Sequence, residues 1–273
     1  MTGALHIRVR QPLRYAVRVL AVALTVSAIG VPAQVPARAS SGHSGITYLC
    51  RFLGRITVEG LHQTTFFVRN DNFAHKVECL ANRNHWPNFT VVSSGADSSG
   101  PEAMAFPEIA LGCAWGACTP HSSLPRRITR LGNPVTWWST TQVRGGLWNC
   151  AYDIWFARHD FTNGHDRGAE LMIWLNTTLG RPSWARLVRI GNRRYWFLTW
   201  RACRKRGVCW TYMSFRRVRP TTAMRGLRLM PFFRFAERAR LLDPGWWLTS
   251  IDAGFEIWRG GRGLATDSYW TRL

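Results

Sequence analysis

Hydrophobic and polar positions alternate along this chain in short runs, and the runs are divided by Gly, Pro, Asn and Ser. An extended strand sends successive side chains to opposite faces, so this pattern predicts half-buried strands. Segments 64–69, 89–93, 135–140, 148–156, 171–176, 186–190, 195–200, 208–215, 247–251 and 263–271 fit it by alternation or β-rich composition. So many short strands with almost no helix predict an all-β sandwich or barrel. One helix is expected at 231–242, in "PFFRFAERARLLDPG": Pro231 suits a first turn, Phe232, Phe235, Ala236 and Ala239 share a face, and Asp243, Pro244 and Gly245 end it.

The amino end reads differently. Arg8, Arg10, Arg14 and Arg18 precede an apolar run at 19–31, and small residues stand at Ala37 and Ala39, the pattern of an export signal cut after Ala39. That run is short against the roughly 20 residues a membrane-spanning helix needs. The expected organisation is a signal peptide at 1–39, a Ser/Gly linker at 40–45 and one domain at 46–273, giving a secreted, extracellular protein that does not stay in the membrane.

Cysteine usage agrees with export. Pairing neighbours along the chain would join Cys50 to Cys79, Cys113 to Cys118 and Cys203 to Cys209, leaving Cys150 as a buried thiol, although spacing alone does not fix the connectivity. Charge points toward polyanions: 36 Lys and Arg stand against 15 Asp and Glu. Residues 40–273 keep 31 basic against 15 acidic side chains, a net of +16. The basic residues are dispersed and almost all are arginine, which argues against a nucleic-acid surface and leaves adhesion to an anionic wall or polymer open. The histidines are scattered, and neither a metal site nor a Ser-His-Asp triad can be assigned from their spacing.

With carboxylates so scarce, their placement in apolar runs is informative, because burying an ionised carboxylate costs several kcal/mol by order of magnitude. In "GAELMIWLN", Glu170, Met172 and Trp174 share one strand face while Leu171, Ile173 and Leu175 share the core face. In "IDAGFEIWRG", Glu256 shares a face with Trp258, and in "AYDIWF" Asp153 shares one with Trp155. An acid beside an aromatic plane is the equipment of a sugar subsite. Two carboxyl groups across a cleft are the machinery of glycoside hydrolysis, and a third acid nearby would separate their pKa values. The bland alternative is that each acid pairs with one of the many arginines.

"YDIWF", "AELMIWLN" and "WWLTSIDAGFEIWRGGRGLA", with "GCAWGAC" and "SSLP" upstream, resemble the motifs of glycoside hydrolase family 12, the small secreted endoglucanases and xyloglucanases. The resemblance runs from about Cys50 to the end. It implies a β-jelly-roll sandwich of two curved antiparallel sheets with one α-helix, an open cleft on the concave face, and retaining hydrolysis of β-1,4-glucan without metal or organic cofactor. Residue by residue it implies Glu170 as nucleophile, Glu256 as acid/base and Asp153 as the aspartate beside the nucleophile. Met172 and Trp174 match cleft residues on the nucleophile strand. Asn70 and Phe73, in "VRNDNF", stand where the family has an asparagine strand ending in a stacking tryptophan. Substrate contacts are therefore expected at Asn70, Phe73, Trp155, Met172, Trp174 and Trp258, with a polysaccharide as partner, no nucleic acid, and a monomeric enzyme.

Two departures stand out. "TTLGRPSW" replaces the family's Pro-Ile-Gly cord over the cleft, and "CRKRGVC" reads as an added disulfide-closed hairpin with a cationic tip. The rivals are a non-catalytic glucan-binding module of the same fold, a cationic protein adhering to anionic polymers, and a xylanase of the similarly folded family 11, which "AGFEIW" disfavours.

Overall fold

A computed structural model describes residues 45–273 apart from 77, 115, 163–166 and 204–206. The expected signal, the linker up to residue 44 and the tip of the 203–209 hairpin lie outside the described residues. In chain order the strands are β1 (Ile46–Leu49), β2 (Gly54–Glu59), β3 (Thr65–Asp71), β4 (Glu78–Arg83), β5 (Phe89–Ser94), β6 (Phe106–Ala114), β7 (Ala117–Cys118), β8 (Arg126–Arg127) and β9 (Val135–Thr141). There follow β10 (Leu147–Ala157), β11 (Ala169–Thr177), β12 (Arg186–Ile190), β13 (Arg193–Cys203), β14 (Cys209–Arg217), β15 (Ala223–Arg228), helix α1 (Met230–Arg238), β16 (Trp247–Gly254), β17 (Ile257–Arg259) and β18 (Ala265–Arg272).

The strands form a six-stranded sheet, β1-β4-β5-β18-β9-β15, and a twelve-stranded one whose main path is β12-β13-β14-β11-β10-β16-β6-β3-β2. The two make the expected jelly-roll sandwich. Their facing sides interdigitate through aromatic contacts such as Trp138 on Tyr152 (ring centroids 4.9 Å apart), Phe66 on Tyr269 (5.4 Å) and Phe89 on Phe255 (6.0 Å). Leu171, Ile173 and Leu175 are fully buried, as the two-residue period requires. Cys150 is also buried, and the three disulfides join Cys50 to Cys79, Cys113 to Cys118 and Cys203 to Cys209.

The sheets are not wholly antiparallel. β14 runs parallel to β11, with Glu170 opposite Tyr212, because the chain leaves β11 through segment 178–185, enters the edge strand β12 and returns through β13 and β14. "TTLGRPSW", residues 177–184, supplies all of that segment but Ala185, and it lies over the concave face of β13 and β14. Arg216 donates to the carbonyls of Leu179 (2.5 Å) and Gly180 (2.9 Å), Arg181 stacks on Trp196 (4.2 Å), and Trp184 meets Trp200 edge-on (6.0 Å). A crossover of this kind is what a parallel pair demands.

The helix starts one residue early and ends four early. Arg240 takes a left-handed conformation, and the Leu241 N–H donates to the Ala236 carbonyl to close the end. Its buried face is Phe232, Phe233 and Ala236; the expected Phe235 is half-buried and still packs inward, whereas Ala239 is exposed. It packs on Phe156, Tyr195, Phe197 and Phe215, which lie on the side of the large sheet opposite Glu170, so α1 braces the back of the strands that carry the site.

Candidate active site

Direct cross-strand partners share a face of a pleated sheet, so register alone assembles the site. One row runs Trp200–Tyr212–Glu170–Trp155–Ser250 across β13, β14, β11, β10 and β16. The next runs Ser214–Met172–Asp153–Asp252–Ala110 across β14, β11, β10, β16 and β6. Glu256 falls in the break between β16 and β17. It is held there by Asn149, whose N–H donates to the Glu256 carbonyl (2.9 Å), whose Oδ1 accepts from the Glu256 N–H (3.2 Å) and whose Nδ2 donates to Glu256 Oε2. The preceding Gly254 is required by close approach: a Cβ there would lie 2.3 Å from the Pro107 carbonyl oxygen.

Asp153, Glu170 and Glu256 line one cavity of about 230 Å³ on the concave face. Trp155, Trp210 and Phe73 contribute its aromatic wall, Phe73 at 44 % exposure. The Trp210 indole N–H donates to Glu170 Oε2 at 2.6 Å, and that of Trp155 to Asp153 Oδ2 at 2.9 Å. Asp71, Glu108 and Asp252 line the same cavity, so that among the described residues six carboxyl groups surround a single guanidinium, Arg69. Arg69 is ion-paired to Glu108, and Ser250 Oγ donates to Asp252 Oδ2 at 3.1 Å.

This crowding sets the proton affinities. Burial pushes Glu256 up to about 7, the Asn149 hydrogen bond opposing it. Asp153 is raised well above the usual carboxylate range, first by burial and then by the charges of Glu170, Asp252 and Glu256. Burial also lifts Asp252 to about 7 against the pull of Arg69 and Ser250. Arg69 stays firmly protonated, because Glu108, Asp252 and Asp71 outweigh the burial that disfavours its charge. The arrangement offers an Asp153 whose proton is held more tightly than an ordinary carboxyl's, a group at Glu256 poised to give or take a proton near neutral pH, and an indole donor fixing Glu170.

Residues 88–273 match the model of "Glycosyl hydrolase family 12". The chain belongs to that family. Its fold is similar to a metagenome-derived glycoside hydrolase family 12 endoglucanase, with TM-score 0.76 and 30 % identity over 85 % of this chain and 99 % of the other. It is also similar to the endoglucanase cel12A from Rhodothermus marinus, with TM-score 0.73 and 33 % identity over 82 % and 97 % of the two chains. Endoglucanase S of Pectobacterium parmentieri is 27 % identical over 192 residues, 68 % of each chain.

Within this family 12 framework the structure brings Asp153, Glu170, Glu256, Trp155 and Phe73 to the cavity. Met172 lies beneath its neighbours, its sulfur accepting from the Tyr212 hydroxyl (3.2 Å) and the Trp174 indole (3.4 Å). Trp174 remains half-buried on the same face, under the Arg216 guanidinium (5.9 Å). Two expectations are corrected. Asn70 faces inward with Phe66 and Val68, its Nδ2 donating to the carbonyls of Leu49 (3.0 Å) and Glu78 (2.9 Å); the alternation of β3 gives the cavity Arg69 and Asp71 instead. Trp258 is buried, its indole N–H bonded to the Pro101 carbonyl at 3.1 Å, because the segment before β6 folds over β17. The sequence reading missed Asn149, Trp210, Arg69, Asp71, Glu108 and Asp252. Glu108 carried a signal: in "FPEIALG" it is an acid in an apolar run, the pattern that singled out Glu170.

Proposed function

We propose that this family 12 protein is a secreted endoglucanase that cleaves β-1,4-glucan with retention of anomeric configuration. The observation that carries the reading is the convergence of Glu170, Asp153 and Glu256 on one concave cavity, with different partners for each. In the first step the Glu170 carboxylate attacks the anomeric carbon, the glycosidic bond breaks, and the leaving oxygen takes the proton of Glu256. In the second, Glu256 removes a proton from water as it attacks the same carbon, and the bond to Glu170 breaks. A Glu256 raised to about 7 enters the cycle protonated at mildly acid pH, as the first step needs. The raised proton affinity of Asp153, caused by burial and by the neighbouring Glu170 charge, favours Glu170 as the carrier of the negative charge. The row from Trp155 through Tyr212 to Trp200 supplies a floor on which a polymer lies across the strands, which suits internal cleavage. The export pattern at 1–39 would deliver the enzyme to extracellular polysaccharide.

The test is reducing-end release from barley β-glucan, carboxymethyl cellulose and xyloglucan by the wild type, Glu170→Ala and Glu256→Ala, with NMR of the first-formed anomer. Activity lost in both folded variants and an initial β-anomer are expected. A folded wild type that binds these glucans without cutting any of them would make the protein a binding module, and an initial α-anomer would overturn the retaining mechanism.

A further inference from the structure

Away from the cleft acids, the sequence from Leu171 to Ala236 contains 15 Lys and Arg and not one Asp or Glu. This span builds β12, β13 and β14, the outer strands of the large sheet. Where the β12–β13 turn meets the end of β14 there is a pocket of about 430 Å³, lined by Arg189, Arg193, Arg194, Arg217 and Arg219 with Asn192.

The pocket concentrates like charge. Arg189 and Arg194 are direct cross-strand partners, an arrangement that destabilises a sheet unless something screens it. Arg217 is half-buried, bonded through Nε to the Arg219 carbonyl (2.9 Å) and through Nη1 to Met224 Sδ (3.0 Å). Among the described residues none of the five guanidinium groups meets a carboxylate. A cluster held together against repulsion with no internal counter-charge fits an external anion, and guanidinium forks match planar oxyanions in pairs.

The surroundings identify the anion's carrier. Arg189 and Arg194 lie on the concave face, where Leu187, two residues along from Arg189, is half exposed and its partner Trp196 is capped by the Arg181 guanidinium (4.2 Å). A chain lying on this face would set a sugar ring against Leu187 while its charges reach Arg189 and Arg194. We propose that this pocket binds the carboxylates of an acidic polysaccharide, a uronate-bearing glycan, as a docking site separate from the glucan cleft. It tethers the protein to a charged matrix while the cleft works on neutral chains.

Binding of polygalacturonate, its methyl ester and duplex DNA is measured by titration calorimetry at low ionic strength, with Arg189→Gln/Arg194→Gln/Arg219→Gln as the test variant and Arg225→Gln/Arg228→Gln/Arg234→Gln as a charge-matched control. All six side chains are exposed, so both variants should fold. The expected result is binding of polygalacturonate by wild type and control, at least tenfold weaker binding by the test variant, and none of the methyl ester. Hydrolysis of neutral β-glucan by the test variant should match wild type. Equal weakening by the control would reduce the effect to net charge, no binding by wild type would remove the site, and DNA bound as tightly as the uronan would reassign it. Binding is read without turnover, so it stands or falls apart from the hydrolase reading.

Discussion

Asn149 grips Glu256 at three points: its main-chain N–H, its Oδ1 and its Nδ2 all bond to that one residue. Glu256 sits outside any strand, so this asparagine is what gives it a fixed direction. It also holds the Glu256 pKa below the level that burial alone would impose.

Asn149→Ala should therefore change both rate and pH dependence. Misplacing the proton donor by about 1 Å is worth on the order of a 100-fold loss in kcat. Loss of the hydrogen bond raises the Glu256 pKa, so the basic limb of the kcat/KM profile should move upward from about 7. A slower enzyme with an unmoved limb would mean that Asn149 is scaffolding alone.

Trp210→Phe removes a single donor and keeps an aromatic wall. The indole N–H is bonded to Glu170 Oε2 at 2.6 Å, and the ring lies 5.9 Å from that of Trp155. Without it the carboxylate loses orientation and a charge-stabilising partner, so kcat should fall roughly 10- to 100-fold with KM little changed. A rise in KM at constant kcat would instead show that Trp210 contacts sugar and does not act through Glu170.

These two supports also mark how much of the site was legible in the sequence. The faces of 170–175 could be read because a pleat enforces a period of two over any short run, and the same rule found the acids at 153 and 256. β6 could not be read by that rule: it is buried from Phe106 to Cys113, so both faces are enclosed and alternation disappears. Trp210 and Glu170 are 40 residues apart and meet through the parallel pairing of β14 with β11, which nothing local in either segment announces. Asn70 misled for the opposite reason. Its segment was recognised, but the phase of β3 turns that position into the core.

Trp200 tests the length of the floor. It is 45 % exposed, stacks on Tyr212 at 3.9 Å, and stands two strands from Glu170, about 10 Å at ordinary strand spacing. Trp200→Ala should raise KM for polymeric β-glucan about tenfold, ~1.4 kcal/mol, and leave short oligosaccharides nearly untouched. An equal effect on the shortest cleavable substrate would place Trp200 in the reacting subsites or in the fold.

Stability should respond to pH through a residue outside the cavity. Glu78 is 2 % exposed, and both carboxyl oxygens lack hydrogen-bond partners among the described residues. Burial, helped by the charge of Asp71, pushes its pKa up to about 8. The folded chain then holds this proton more tightly than the unfolded chain does. Its stabilising contribution is complete below the unfolded value of 4.5, declines as the pH climbs, and is gone above about 8. Asp252 and Glu256, both raised to about 7, act in the same direction. Tm should therefore fall between pH 5 and pH 8.5, and Glu78→Gln, which cannot ionise, should remove part of the fall. A recovery of about 2–3 kcal/mol at pH 8.5 corresponds to roughly 5–10 °C in a domain of this size. Parallel Tm curves for wild type and Glu78→Gln across that range would show that Glu78 titrates alike in the folded and unfolded chain.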